Sequence, residues 1–165
     1  MLYLCYNGRK ERSFMTDDFK ELTFNIYVIS RCTHNYYARE LRKIGITMGQ
    51  FPFLMKITEQ DGISQEQLSQ KLRISKSTTA VIVRQLLAAR LVVREIDPRD
   101  RRNYRLHAAE KAFALIPEIE SIIERCHKII CSEIPPSDRR KFARLTAGIR
   151  RRSENDLPPS ESTGK

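Results

Sequence analysis

Apolar residues recur at steps of three and four from Phe19 to Ile44: Phe19, Leu22, Ile26, Ile29, Tyr37, Leu41 and Ile44, with Thr33 in the intervening place. That spacing lines one face of a helix over about 18–43. A helix this long needs a partner to cover its apolar face. Thr47 and Gln50 then stand at capping-box spacing, with Ile46 and Phe51 placed as a hydrophobic staple. A second helix is predicted there, ending near Asp61-Gly62. Pro52 falls in its first turns and removes one backbone bond.

The stretch from Gly62 to Leu106 carries most of the information. Ser64 and Gln67 form a second capping box, which opens a short helix through Leu72. Arg73-Ile74-Ser75 is a three-residue break. Ser75 caps a longer helix whose inward positions are Ile82, Val83, Leu86 and Leu87. Short helix, tight turn and longer helix make a helix-turn-helix outline. Leu91–Ile96 is β-branched and alternating, as a strand requires. Residues 97–102 form a charged turn, and Asn103–Leu106 return as the second strand of a hairpin. A further helical pattern runs over about 109–132, with Phe113, Ile116, Ile119, Ile123, Cys126 and Ile130 on one face and Pro117 inside it. Pro135-Pro136 ends it. Ser137 begins a last helix, with Phe142, Leu145 and Ile149 inward. The polar tail after Arg150 is expected to be disordered. The fold class is therefore mostly α with a small β-hairpin.

Charge sharpens this outline. The 165 residues carry a formal net charge of +10 and a sequence pI of about 9.7. Such an excess favours a polyanion, nucleic acid first and an anionic membrane surface second. No apolar run is long enough to span a bilayer, and a cytoplasmic protein is expected. Cys5, Cys32, Cys126 and Cys131 form no CxxC, and His34, His107 and His127 are scattered, so neither spacing builds a metal site. GxSxG, HExxH, P-loop and GxGxxG motifs are all missing, which argues against an enzyme. No cofactor is implied.

The helix-turn-helix and the hairpin suit a duplex. Ser75, Lys76, Ser77, Thr78 and Thr79 place short donors and acceptors at a positive helix end, and Arg84 can reach a phosphate. From Arg94 to Arg105 there are five arginines (94, 99, 101, 102, 105) and three acids (Glu95, Asp97, Asp100). An arginine at such a tip can enter a narrow minor groove. The acids can orient the guanidinium groups. A basic helical adaptor that binds DNA, protein or lipid without reading sequence is the competing interpretation.

Residues 46–111 resemble the MarR family of bacterial and archaeal regulators. The resemblance rests on Gly45-Ile46-Thr47-Met48-Gly49-Gln50-Phe51, on Ser75-Lys76-Ser77-Thr78-Thr79, and on the DxRDxR signature within Val93–Leu106. It implies a winged helix-turn-helix at 45–107, flanked by dimerisation helices at 18–44 and 108–150, with a leader at 1–17 and a tail at 151–165. It also implies a homodimer on a pseudo-palindromic operator, and a repressor released by a small anionic or phenolic ligand. Ser75 to Thr79 and Arg84 map to the recognition helix. Arg99 maps to the minor-groove residue and Asp97 to its orienting acid, with Asp100, Arg101 and Arg102 beside them. An effector pocket is expected between the first helix, the Met48–Glu59 helix and the Ala109 helix, lined by Tyr36, Met48 and Phe53. Val81 stands where a basic residue is usual. Arg90 replaces the glycine that ends the recognition helix. Ala109 and Ala112 replace a Thr cap and a Gly. A peroxide-sensing subgroup uses a cysteine where this chain has Thr23, so that mechanism lacks its thiol.

Overall fold

The computed structural model describes residues 17–98 and 103–156. Its elements are α1 (Asp17–Lys43), α2 (Phe51–Glu59), β1 (Ile63–Ser64), α3 (Gln65–Leu72), α4 (Lys76–Ala88), β2 (Val92–Ile96), β3 (Tyr104–Ala108), α5 (Glu110–Ile130) and α6 (Pro136–Asp156). The chain divides into two compact units, one up to Asn35 and one from Tyr36 onward, and α1 contributes to both. In the first unit Phe19, Leu22, Ile26 and Ile29, four members of the predicted apolar face of α1, are all exposed.

The second unit is built on local signals that chain geometry honours. Thr47 and Gln50 exchange the two hydrogen bonds of a capping box, at 3.0 and 3.2 Å. Regular helix nevertheless begins only at Phe51. Pro52 has no N–H to give the Met48 carbonyl, so the first turn stays isolated. Ser64 and Gln67 close the second capping box, at 3.0 and 3.1 Å. Ser75 caps α4 by accepting from the Thr78 N–H at 3.1 Å.

Three helices stop in the same way. In α1, Ile46 N–H donates to Leu41 O and Gly45 N–H to Arg42 O. The end of α3 repeats this with Ile74 to Ser69 and Arg73 to Gln70, and the end of α4 with Leu91 to Leu86 and Arg90 to Leu87. Each is a Schellman stop, which needs a left-handed residue. Only the first uses glycine: Gly45 has φ 78°, whereas Arg73 and Arg90 take φ 53° and 57°. The left-handed stop expected of a glycine thus persists with Arg90. The buried pairs Leu41–Ile46 and Leu86–Leu91 supply the apolar contact that accompanies the motif.

The sheet has three antiparallel strands in the order β1-β3-β2. The β2–β3 hairpin agrees with the sequence pattern, and β1 is a third strand that the pattern does not predict. Ile63 pairs with Leu106, and Val92 with Ala108 through Ile96 with Tyr104. Gly62 (φ 73°) lets its N–H reach Leu106 O at the entry to β1. One core joins these layers. Phe53, Leu54 and Ile57 of α2, Leu68 of α3, Val83 and Leu86 of α4, Leu106 of β3 and Ile119 of α5 are all buried in it.

The last two helices depart from expectation in detail. The buried residues of α5 are Ala112, Ile119, Ile122 and Cys126, while Phe113 and Ile130 are exposed. The inward edge is therefore rotated from the predicted one, because Ala112 and not Phe113 faces the core. Pro117 lies inside α5, which continues through it. Ala109, at the N-cap, makes no side-chain cap. Helix α6 runs on to Asp156, beyond the predicted tail boundary, and Phe142, Leu145 and Ile149 are exposed on it. Tyr37 stacks on Phe51 with centroids 6.0 Å apart. Burial first, then its hydrogen bond to Cys126, push the Tyr37 phenol up to about 12.

Arg90 pays the steric cost of the left-handed region, which glycine escapes. Arg90→Gly is therefore expected to stabilise the chain by about 1 kcal/mol. Chemical denaturation with an unchanged slope checks this, and a loss of stability would contradict the geometry.

Candidate nucleic-acid interface

Helix α4 is held by its inward edge. Thr79, Val83 and Leu86 are buried at steps of four and three, and Ile82 and Leu87 are partly buried beside them. The opposite edge carries Ser77, Val81, Arg84 and Ala88, all exposed. Ordinary helix geometry places these four on one stripe. Lys111 Nζ donates to the Ala89 carbonyl at 3.0 Å and secures the C-terminal end of α4 to the start of α5.

The first turn of α4 is a hydroxyl network. Ser75 Oγ donates to Thr78 Oγ1 at 2.8 Å and lies 3.0 Å from Ser77 Oγ. Ser75, Lys76 and Ser77 are exposed, and Thr78 is half-buried. Thr79 corrects the sequence reading. Its side chain is 0% exposed, and its hydroxyl has no hydrogen-bond partner among the described residues. It occupies a core position on the stripe shared with Val83 and Leu86, so it has no access to a duplex.

Lys76 has a partner that sequence reasoning missed. Its ammonium lies 2.7 Å from Glu66 Oε1, across the turn between α3 and α4. Hydrogen bonding to Lys76, then its charge, hold the Glu66 carboxyl below the usual carboxylate range. Both groups are mostly exposed, so the pair adds little to folding. It does orient the lysine. The available signal was the position of Glu66 inside the Ser64–Gln67 box, one helix away from Lys76.

The hairpin places further charge beside α3. Asp97 N–H donates to Asn103 O at 2.9 Å across the base of the turn. Asp97 Oδ2 lies 3.1 Å from Arg105 Nε, without the alignment of a hydrogen bond. Asp97 is thus ion-paired with Arg105, and its expected role toward Arg99 falls on a residue outside the described ones. Arg99, Asp100, Arg101 and Arg102 lie outside the described residues. The Arg94 guanidinium sits 4.7 Å from the centre of the Tyr104 ring, a stacked cation that sequence reasoning did not single out. A polar cavity of about 660 Å³ is lined by Glu66 and Gln67 of α3 and by Arg94 and Tyr104 of the strand pair.

The expected effector residues Tyr36, Met48 and Phe53 lie in the core or pack against it. Phe53 is sealed in the core, where it supports α2. Met48 is partly buried against the same core. Tyr36 lines a cavity of about 410 Å³ with Glu40, Arg125, Lys128 and Ile129. Among the described residues there is no group of three His, Cys, Asp or Glu that could hold a metal. No described helix is long and apolar enough to cross a membrane.

A helix with one edge in the core and a polar edge free, followed by a basic β-hairpin, defines a winged helix-turn-helix protein. The MarR family pattern matches residues 46–104. A solved MarR transcriptional regulator from Methanosarcina mazei Go1 is 34% identical, with a TM-score of 0.71 over 84% of this chain and 97% of that one. A Thauera aromatica protein, named as a candidate transcriptional regulatory protein for the hcr operon, is 28% identical over 120 residues, 72% of each chain. MepR of S. aureus, solved in a DNA complex, shares the fold with a TM-score of 0.69 at 20% identity, over 78% of this chain and 96% of that one. The chain belongs to the MarR family. It is a transcriptional regulator of that DNA-binding, non-enzymatic type.

The Glu66–Lys76 pair is expected above the carboxyl's own ionisation and is lost as pH falls through it. In an NMR titration the Glu66 midpoint should rise when Lys76→Gln removes the ammonium. An unmoved midpoint would show that the two side chains are not paired in solution.

Proposed function

We propose that two copies of this chain bind a pseudo-palindromic operator, with α4 of each in the major groove and the wing tip in the adjacent minor groove. The observation that carries this reading is the exposed stripe of α4 with Ser77 and Arg84 on it, held outward by the burial of Thr79, Val83 and Leu86. Ser75, Lys76, Ser77 and Thr78 then face base edges and phosphates, and Arg84 faces the backbone. Arg99 enters the minor groove, flanked by Asp100, Arg101 and Arg102. The solved MepR–DNA complex gives this fold a precedent on a duplex.

The homodimer is supported by the open apolar faces. Phe19, Leu22 and Ile26 of α1, Phe113 of α5, and Phe142 and Leu145 of α6 are exposed in the single chain. A face that apolar marks a protein interface. Pairing two such chains fixes the spacing of two recognition helices. The regulator acts as a repressor that a small anionic or phenolic molecule releases. The Tyr36 cavity is the place we assign to such a ligand: its wall is mostly apolar, with the Tyr36 ring and Ile129, and Glu40, Arg125 and Lys128 also line it.

The test is selection of bound fragments from genomic DNA, followed by variants. An enriched inverted repeat is expected. Arg99→Ala should cost about 1–3 kcal/mol of operator affinity, and Arg84→Ala should weaken all duplexes and reduce the salt slope by about one. Recovery of fragments with no common sequence, unaffected by Arg99→Ala, would refute the reading.

A further inference from the structure

We propose that Val81 reads the 5-methyl group of a thymine in each half-site and so sets part of the operator sequence. The inference rests on the DNA-binding reading above. Val81 is 47% exposed at the centre of the stripe between Ser77 and Arg84. By helix geometry these three residues lie within roughly 60° of one another around the axis. Every other member of that part of the stripe is polar or cationic. A β-branched residue is a poorer helix former than alanine, so propensity does not account for a valine there. The core does not account for it either, because Thr79, Val83 and Leu86 fill the inward edge.

The chemistry of the groove does account for it. In the major groove thymine alone among the bases presents a methyl group, and an apolar side chain is its natural partner. Val81 stands about 6 Å along the axis from Ser77, at 1.5 Å per residue. With about 3.4 Å between bases of one strand, that is roughly two base steps. Ser77 therefore meets polar base edges, Arg84 meets the backbone, and the two methyls of Val81 lie against a base between them. A lysine or arginine at this place would reach for phosphate or guanine and leave the thymine unread.

Replacing thymine by deoxyuridine removes that one methyl and leaves every hydrogen bond in place. Each thymine of the selected operator is changed in turn, and affinity is measured for the unaltered chain and for Val81→Ala. For the unaltered chain, one thymine per half-site should respond, with affinity falling roughly fourfold, the worth of one buried carbon. Val81→Ala should bind the operator more weakly and lose its response at that same thymine. The proposal is overturned if no deoxyuridine change matters, or if Val81→Ala responds as fully as the unaltered chain. A chain that selects no duplex at all sinks the DNA-binding reading itself, whereas tight operator binding with silent deoxyuridine sinks only this one.

Discussion

The constraint on which the head of this protein depends is the burial of one edge of α4. Val83 and Leu86 enter the same core as Phe53, Leu54, Leu68 and Leu106, and Thr79 is carried in with them. Each fully buried aliphatic side chain contributes about 1.5–3 kcal/mol by leaving water. That is enough to fix the rotation of α4 about its axis, since turning it would expose these groups and bury Arg84. The outward stripe is thereby determined by what the inward edge requires. The unpartnered Thr79 hydroxyl lowers the stability of this arrangement without changing its direction.

The ends of α4 are set as firmly as its edge. Ser75 caps the start, and Arg90 in the left-handed region stops it, with Leu91 folded back on Leu86. Lys111 ties the Ala89 carbonyl, just past the helix end, to α5. A helix pinned at both ends and along one side presents its side chains at fixed positions. Lys76 is further directed by Glu66, from the neighbouring helix. The wing shows the same economy: strand register places Arg94 over Tyr104 and Asp97 beside Arg105.

What was legible in the sequence was local. The boxes at Thr47–Gln50 and Ser64–Gln67 and the cap at Ser75 each involve residues three apart, so the chain displays them directly. The hairpin was legible because its first strand is β-branched and alternating and a charged turn follows it. The third strand was hidden: β1 has two residues, and its pairing with β3 spans more than forty positions. Thr79 was misassigned because polarity outweighed period. The steps from 79 to 83 to 86 already placed it on the inward edge. In α5 the apolar residues Phe113, Ile122 and Ile123 allow two stripes, and only contact with the core chooses Ala112 and Ile122 over Phe113. Phe53 was read as a pocket wall because composition does not separate a lining residue from a core residue.

The outward stripe of α4 is the central claim, and backbone amides at its start test it most directly. Lys76 and Ser77 lie in the first turn, where amides have no partner within the helix and exchange readily. Amide hydrogen exchange compared with and without a selected duplex should show these two slowing strongly, with Thr78 beside them. Exchange at Lys76 and Ser77 left unchanged by a saturating, tightly bound duplex would contradict the account.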